Sequence, residues 1–282
     1  MEVRFWGVRG SVAASGSQVA RIGGNTSCVE VIHQGHRLIL DAGTGIRGLG
    51  DELLRAEAPV RATLLFSHLH WDHVQGFPFF SPAYHPASEL TLLGGGGEGE
   101  LRRVLSRQME APNFPVPLAA MRAKLSFGPV VADQPFEVGP FNVLPFSVPH
   151  PNGCLGYRVE AGGRRFVYMT DVELSLATLT PSIAAAMDGA DAVCLDAQYT
   201  PDEYAGGKGP SKKGWGHSTM VDAAKIAFAA QARRLFLFHH DPAHNDDQVE
   251  LMAEEARSYF APTEPAREGK RVFFGEISAR CA

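Results

Sequence analysis

Four donor side chains crowd into six positions of Ala62-Thr-Leu-Leu-Phe-Ser67-His68-Leu-His70-Trp-Asp72-His73, where an apolar run passes directly into three histidines and an aspartate. An isolated histidine is ordinarily a satisfied surface or core residue. This HxHxDH cluster instead concentrates imidazole and carboxylate donors, which suit zinc, manganese or iron better than calcium. Alternation in extended chain puts His68 and His70 on one side, and a turn into a helix after Trp71 swings Asp72 and His73 toward a second position. One segment can therefore feed two metal ions.

Two ions need more donors, and three candidates stand just after predicted strands: His150 after Phe141–Val148, Asp171 after Arg165–Met169, and His239 after Leu235–Phe238. Donors at the C-terminal ends of strands in an α/β sheet can converge despite wide sequence separation. Singly, an aspartate after a strand reads as a turn or helix cap, and the His239-His240 pair before Asp-Pro reads as a loop. Jointly, behind HxHxDH, they read as a metal centre. His239 directly follows the apolar strand and is expected to face that centre, with His240 turned away toward Asp241 or His244.

The elements that must position these groups are mostly short strands. Further strand-like runs are Val3–Trp6, Ser27–Ile32, Arg37–Leu40, Ala62–Phe66, Glu89–Leu93, Gly156–Glu160 and Ala192–Leu195. Thr219 to Asp222 reads as a capping box opening a helix with Val221, Ala224 and Phe228 on one face. A second helix follows Asn245-Asp246, with Val249, Met252, Ala253, Ala256 and Phe260 on its buried stripe. Weaker helical signals lie in Asp51–Glu57 and Gly99–Met109. The glycine run Gly94–Gly97 lacks the Lys-Ser/Thr of a phosphate-cradling loop and reads as a turn.

In order and type, these motifs resemble those of the metallo-β-lactamase-fold hydrolases: an early Asp in Leu40-Asp41-Ala-Gly-Thr-Gly45, then HxHxDH, then His, Asp and His. The resemblance implies a four-layer αββα architecture, two mixed β-sheets sandwiched between helices, with residues 1–282 as a single domain. By the same resemblance, His68, His70 and His150 would hold one metal; Asp72, His73 and His239 would hold the other; Asp171 would bridge both. Asp41 would order loops beneath the metals. Two divalent ions are implied, zinc foremost, with manganese or iron as alternatives.

A further pair narrows the chemistry. Asp196 in Asp191-Ala-Val-Cys-Leu-Asp196 and the segment Gly216-His217-Ser-Thr look like motifs of the phosphodiesterase branch, which includes transfer-RNA 3′-processing and cyclic-nucleotide enzymes. There an acid orients a histidine that protonates the leaving alkoxide. The transfer-RNA enzymes carry Glu where this chain has Asp196, one methylene longer. Two metals can generate hydroxide near neutral pH and neutralise a phosphodiester, Asp72 can accept a hydrogen bond from that hydroxide, and His217 can deliver the proton.

The expected substrate is a small phosphodiester, foremost a cyclic nucleotide. A large RNA is disfavoured, because the interval from His150 to Asp171 spans only 21 positions, too short for the basic arm that many transfer-RNA enzymes insert there. Trp71, Phe79 and Tyr84, with Phe77 and Phe80, form an aromatic cluster that reads either as a stacking surface for a base or as core beneath the metal loop. Lys208, Lys212, Lys213 and Trp215 lie in a Gly-rich loop leading to His217, as substrate contacts or solvated cations. Alternatives are another ester hydrolase of this fold, such as a lactonase or thioesterase, and a metal-dependent nucleotide-binding module with little turnover.

Composition sets outer bounds. A net charge of −5 argues against a chain that coats nucleic acid through charge alone. The four cysteines are scattered, with no CxxC, and read as reduced thiols. No apolar leader core or membrane-length apolar window is present, so a cytoplasmic protein without a membrane span is expected. The resemblance implies a homodimer.

Overall fold

Side chains on successive strand positions point to opposite faces of a sheet, and here both faces are apolar over much of the two sheets. Leu38, Leu40, Leu65, Phe166, Tyr168, Cys194, Phe236 and Phe238 meet in one core between the sheets. Their chain neighbours turn outward: Ile39, Leu64 and Phe66 into a second core, and Val167, Met169, Val193, Leu195, Leu235 and Leu237 into a third. The computed structural model describes residues 1–56, 59–96, 99–207 and 209–275.

One sheet contains β1 (Glu2–Gly7), β2 (Cys28–His33), β3 (His36–Leu40), β4 (Arg61–Phe66), β5 (Glu89–Gly94), β6 (Lys124–Pro129) and β14 (Arg271–Phe273), ordered β14-β1-β2-β3-β4-β5-β6. The other contains β7 (Phe136–Val138), β8 (Phe141–Val148), β9 (Cys154–Ala161), β10 (Arg164–Met169), β11 (Ala192–Asp196), β12 (Leu235–Phe238) and β13 (Thr263–Pro265), ordered β13-β12-β11-β10-β9-β8-β7. Both are mixed. Strands β3 to β6 run parallel, as do β10 to β13, and the remaining pairings are antiparallel.

Helices α1 (Ile46–Leu54), α2 (Trp71–Val74) and α3 (Glu100–Gln108) cover the outer face of the first sheet through Ile46, Leu49, Val74, Leu101 and Leu105. Helices α4 (Pro181–Met187), α6 (Met220–Ala229) and α7 (Asp246–Arg257) cover the second, while the short α5 (Pro201–Ala205) buries no side chain. The layers are therefore α, β, β, α, as the resemblance implied. Among the described residues no helix is long and apolar enough to cross a membrane.

Several local expectations change. Helix α1 starts five residues before the expected Asp51, because the Gly43–Gly45 turn that launches it read as loop; Glu57 lies outside the described residues. In α6 the expected Val221 and Ala224 are buried, with Met220, Ala223, Ile226 and Ala227, whereas Phe228 is 67% exposed. Small alanines let this helix sit close to the sheet and leave Phe228 outside. The Thr219 hydroxyl accepts from the Asp222 N–H, but the return bond comes to the Asp222 carboxylate from the Thr219 hydroxyl, so the capping box is only half formed. Asn245 and Gln248 form a complete one at α7.

The core between the sheets makes a direct stability prediction. The Phe238 ring is fully buried, 5.6 Å from Tyr168 and 6.2 Å from Phe5 between ring centroids. Phe238→Ala should cost about 3–5 kcal/mol, the usual range for an emptied aromatic core position. Urea unfolding of both proteins measures it, and a loss below about 1 kcal/mol would show that the sheets close over the gap.

Candidate metal centre

Strand β3 delivers Asp41 into a fully buried position with φ of 61°. Its Oδ1 accepts the Ser67 N–H at 2.7 Å, and its Oδ2 accepts the Ser67 hydroxyl at 2.7 Å, the Tyr168 hydroxyl at 2.7 Å and His73 Nδ1–H at 2.8 Å. A carboxylate can only accept, so His73 carries its proton on Nδ1 and turns Nε2 the other way, 3.2 Å from Asp72 Oδ2 and 3.1 Å from Asp171 Oδ2. Because Ser67 spends its hydroxyl proton on Asp41, its oxygen accepts His68 Nδ1–H at 3.1 Å. That leaves His68 Nε2 with the lone pair.

The same device recurs. His150 Nδ1–H donates to the Gly216 carbonyl at 2.9 Å, and His239 Nδ1–H to Gln198 Oε1 at 3.1 Å. Four histidines are thus held through Nδ1 with Nε2 aimed inward, and His70 presents Nδ1 3.2 Å from His150 Nε2. A second hydrogen bond that fixes tautomer and ring orientation is the usual support of a metal-binding histidine. His68 Nε2 and His73 Nε2 are buried without a hydrogen-bond partner. Orphaned lone pairs of this kind fit a cation.

Donor atoms of His68, His70, His150 and Asp171 lie within 4.8 Å of one another, as do those of Asp72, His73, Asp171 and His239. Asp171 faces both groups: Oδ1 is 3.7 Å from His68 Nε2 and 3.8 Å from His150 Nε2, and Oδ2 is 3.1 Å from both His73 and His239 Nε2. The electrostatics agree with a cation-seeking cage. Burial, reinforced by neighbouring imidazoles, pushes His68, His70 and His150 below the usual histidine range, leaving them neutral donors. Burial opposes charge on His73 too, but Asp72, Asp171 and Asp41 outweigh it and raise its pKa well above the usual histidine value. Burial likewise works against the Asp72 and Asp171 carboxylates, and their histidine neighbours hold both well below the usual range.

The backbone pays locally for this convergence. Asp41, Asp171 and His239 have φ of 61°, 49° and 60°, in the left-handed region that costs a non-glycine residue of order 1–3 kcal/mol. Gly10 packs against His239, where a Cβ would lie 2.4 Å from the ring. His240 turns away as expected, but Nε2 donates to the Ala266 carbonyl at 3.1 Å rather than meeting Asp241 or His244.

Beside the two groups, Asp196 at the end of β11 accepts His217 Nδ1–H at 2.8 Å on Oδ2 and the Ser218 N–H at 3.1 Å on Oδ1. The His217 ring stacks on His239 with centroids 4.9 Å apart and lies 5.4 Å from His150. Burial alone would lower its pKa, but the Asp196 charge and hydrogen bond, aided by Asp171 and Asp72, raise it to about 9. Glu173 secures the loop ahead of it, accepting from the Gly214 N–H at 2.8 Å, the Gly216 N–H at 2.9 Å and the Tyr204 hydroxyl at 2.6 Å.

The expected substrate contacts separate. Trp71 and Phe79 are 65% and 55% exposed, whereas Phe77 and Phe80 are core. Tyr84 does not join them: it packs on that core and donates its hydroxyl to the Pro78 carbonyl at 2.7 Å. Lys212 Nζ sits 4.0 Å from the Trp215 ring centroid, beside the His217 loop; Lys208 lies outside the described residues. Sequence reasoning missed Ser67, Tyr168, Glu173 and Gln198, the residues that hold the donors. Ser67 directly precedes the cluster and Gln198 follows Asp196 by two, which are the only local signals they carry.

A ribonuclease Z of Natronomonas pharaonis is 25% identical, the alignment covering 91% of this chain and 92% of that protein. Its name runs against the expectation that a large RNA is disfavoured. Among solved structures, the metallo-β-lactamase-fold protein YhfI of Bacillus subtilis superposes with a TM-score of 0.72 at 19% identity, covering 96% of this chain and 98% of that one. A diphosphatase of the PhnP family superposes with a TM-score of 0.69 at 18% identity, covering 98% of each chain. The domain description "Beta-lactamase superfamily domain" matches residues 36–240. Since that span opens on β3 ahead of Asp41 and closes just past His239, taking in both donor groups and the Asp196–His217 pair, the chain belongs to the metallo-β-lactamase superfamily of metal-dependent hydrolases.

Proposed function

We propose that this protein hydrolyses nucleotide phosphodiesters with two divalent cations, and that His217 donates a proton to the leaving oxygen. The observation that carries this reading is the 2.8 Å bond between His217 and Asp196, with the His217 ring stacked on His239 at the edge of the donor groups. An alkoxide leaves poorly without a proton, and an imidazolium held by a buried carboxylate can supply one. A lactone or thioester hydrolase gives this pair less to do. Residues 1–282 would act as one domain, because both sheets contribute to the site.

His68, His70 and His150 would hold one cation and Asp72, His73 and His239 the other. The two oxygens of Asp171, facing opposite groups, support its assignment to both. Zinc suits this donor set, with manganese or iron as alternatives. When bound, the cations would neutralise the phosphate oxygens and acidify water near neutral pH. The Ser11 N–H fixes the Asp72 carboxylate at 2.8 Å, orienting an acceptor toward the attacking side. Asp196 keeps His217 in the tautomer that exposes Nε2.

Cyclic nucleotides are the small-substrate form of this proposal. RNA is the second reading, favoured by the name ribonuclease Z that relatives carry. Incubating the metal-loaded protein with cyclic mono- and dinucleotides, short RNAs and a precursor transfer RNA, followed by mass spectrometry, decides between them. Turnover of acyl-lactones in the absence of any phosphodiester cleavage would defeat both.

Metal analysis should find two ions per chain, and Asp171→Ala should lower both stoichiometry and rate. Normal metal content in that variant would remove Asp171 from the shared position.

His217→Ala should retain metal yet lose about 10²–10⁴-fold in turnover of an alkoxide-leaving substrate, the usual worth of general acid catalysis. The loss should shrink for bis-p-nitrophenyl phosphate, whose leaving group departs without a proton. Equal losses on both substrates would make His217 a positioning group instead.

The pH profiles supply an independent check. A general acid must be protonated, so the alkoxide-leaving rate should fall on the alkaline side as His217, raised to about 9 by Asp196, loses its proton. Bound cations repel the imidazolium and would draw that limb downward. A p-nitrophenyl substrate should lack the limb, and an identical alkaline fall in both profiles would assign it to another group.

A further inference from the structure

The outer side of the HxHxDH segment opens onto a groove of about 1250 Å³ that the proposed chemistry does not use. Aromatic and cationic groups line it: Trp71, Phe79 and Phe114, with Arg47 from α1 and Arg103 and Arg107 from α3. Phe79 and Phe114 meet edge to face at 5.6 Å, and Trp71 and Phe79 keep more than half of their surface exposed. Two large exposed aromatics on one groove wall, continuous with the Phe114 ring, form an apolar surface that can take an occupant.

Charge indicates the chemistry of that occupant. Among the described residues no carboxylate lines the groove. Arg103 pairs with Glu100 at 3.3 Å, while Arg47 and Arg107 have no carboxylate within ion-pair distance among the described residues. In a chain of net charge −5, the two arginines without such a partner give this apolar surface local positive charge. Aromatic faces that stack bases, interleaved with cations that follow a phosphate backbone, are the recurring solution for single-stranded nucleic acid.

Position links the groove to the reaction. Leu69 and Trp71 line it while their chain neighbours His68, His70 and Asp72 turn into the donor groups. Adjacent Cα atoms are about 3.8 Å apart, so one short stretch of chain separates the two. The volume exceeds the roughly 300–1,000 Å³ usual for a small-ligand pocket. We infer that the groove holds the nucleotide units adjoining the scissile phosphate, with bases on Trp71 and Phe79 and flanking phosphates on Arg47 and Arg107. This assignment rests on the phosphodiesterase reading and specifies its substrate as a single-stranded chain of at least two nucleotides.

Fluorescence anisotropy of a fluorescein-labelled phosphorothioate tetra-adenylate with the metal-loaded protein tests it. Trp71→Ala and Arg107→Glu should each weaken binding about tenfold or more, on the scale of one lost base stack. Lys225→Glu, an equal charge change on α6 over the other sheet, should alter it less than twofold. Arg107→Glu should also flatten the log–log salt dependence by about 0.7, the value of one phosphate contact on a single strand, whereas Trp71→Ala should leave the slope alone. Absence of binding by the folded wild type, or equal weakening by Lys225→Glu, would overturn the assignment. So would a dimer that excludes the probe and that Trp71→Glu converts to a monomer, which would make the groove a subunit interface. Turnover of bis-p-nitrophenyl phosphate separates the two levels. Cleavage without tetra-adenylate binding removes the groove alone, and the expected binding pattern without any phosphodiester cleavage removes the phosphodiesterase reading and leaves a nucleic-acid site.

Discussion

A single buried carboxylate, Asp41, ties the two sheets to the donor groups. It stands at the end of β3 in one sheet and accepts the hydroxyl of Tyr168 from β10 in the other, together with two donors from Ser67 and one from His73. A charge removed from water is tolerated only when its lone pairs are met by donors. The four bonds therefore constrain one another: Ser67 must spend its proton on Asp41, which makes its oxygen an acceptor for His68, and His73 must turn Nε2 inward. The tautomers of two donor histidines follow from the solvation of one aspartate.

The parallel strands do the rest of the positioning. Asp41, His68, Asp171, Asp196 and His239 all lie at or just beyond the C-terminal ends of β3, β4, β10, β11 and β12, the edge where loops from an α/β sheet gather. Three of these turns need left-handed residues that are not glycine, at a cost of order 1–3 kcal/mol each. The strands behind them are buried on both faces, and this two-sided burial holds the strained ends in place. Electrostatics add to the tension. The Asp72, Asp171 and Asp41 carboxylates around His73 outweigh its burial and hold its pKa well above the usual histidine value, a surplus of negative charge that suits a cation.

Much of this was legible in the sequence because it is local. HxHxDH is dense, and His150, Asp171 and His239 each follow an apolar run that ends abruptly, so strand and donor were read together. The His217–Asp196 pair came through resemblance. What could not be read depends on contacts between distant elements: Tyr168 looks like one more core aromatic, and Glu173 like one more surface acid, until the fold sets them against Asp41 and the Gly216 loop. Exposure was equally hidden. Phe77, Phe79 and Phe80 are indistinguishable by type, yet only Phe79 faces out. The unread strands β6, β7, β13 and β14 are edge or near-edge elements, three of them only three residues long, too short to show alternation.

Within the site, generic and specific parts occupy different places. The donor groups are built from both sheets and would serve any reaction that two cations assist, which is why a shared fold does not by itself fix a substrate. His217 is attached differently. It hangs from the end of β11 through Asp196 and from the loop before α6, and Glu173 binds that loop at Gly214 and Gly216 while the Gly216 carbonyl holds His150. One carboxylate outside the donor groups thus sets the approach of the proposed proton donor and the ring orientation of a donor histidine together. On the proposed reading, a change in this loop would alter the leaving-group chemistry and one metal position at once. Changes on the outer side of α2 and α3, where Trp71 and Arg107 lie, would touch neither. On the proposed reading, substrate choice would vary there without disturbing the buried hydrogen bonds around Asp41 and Asp196.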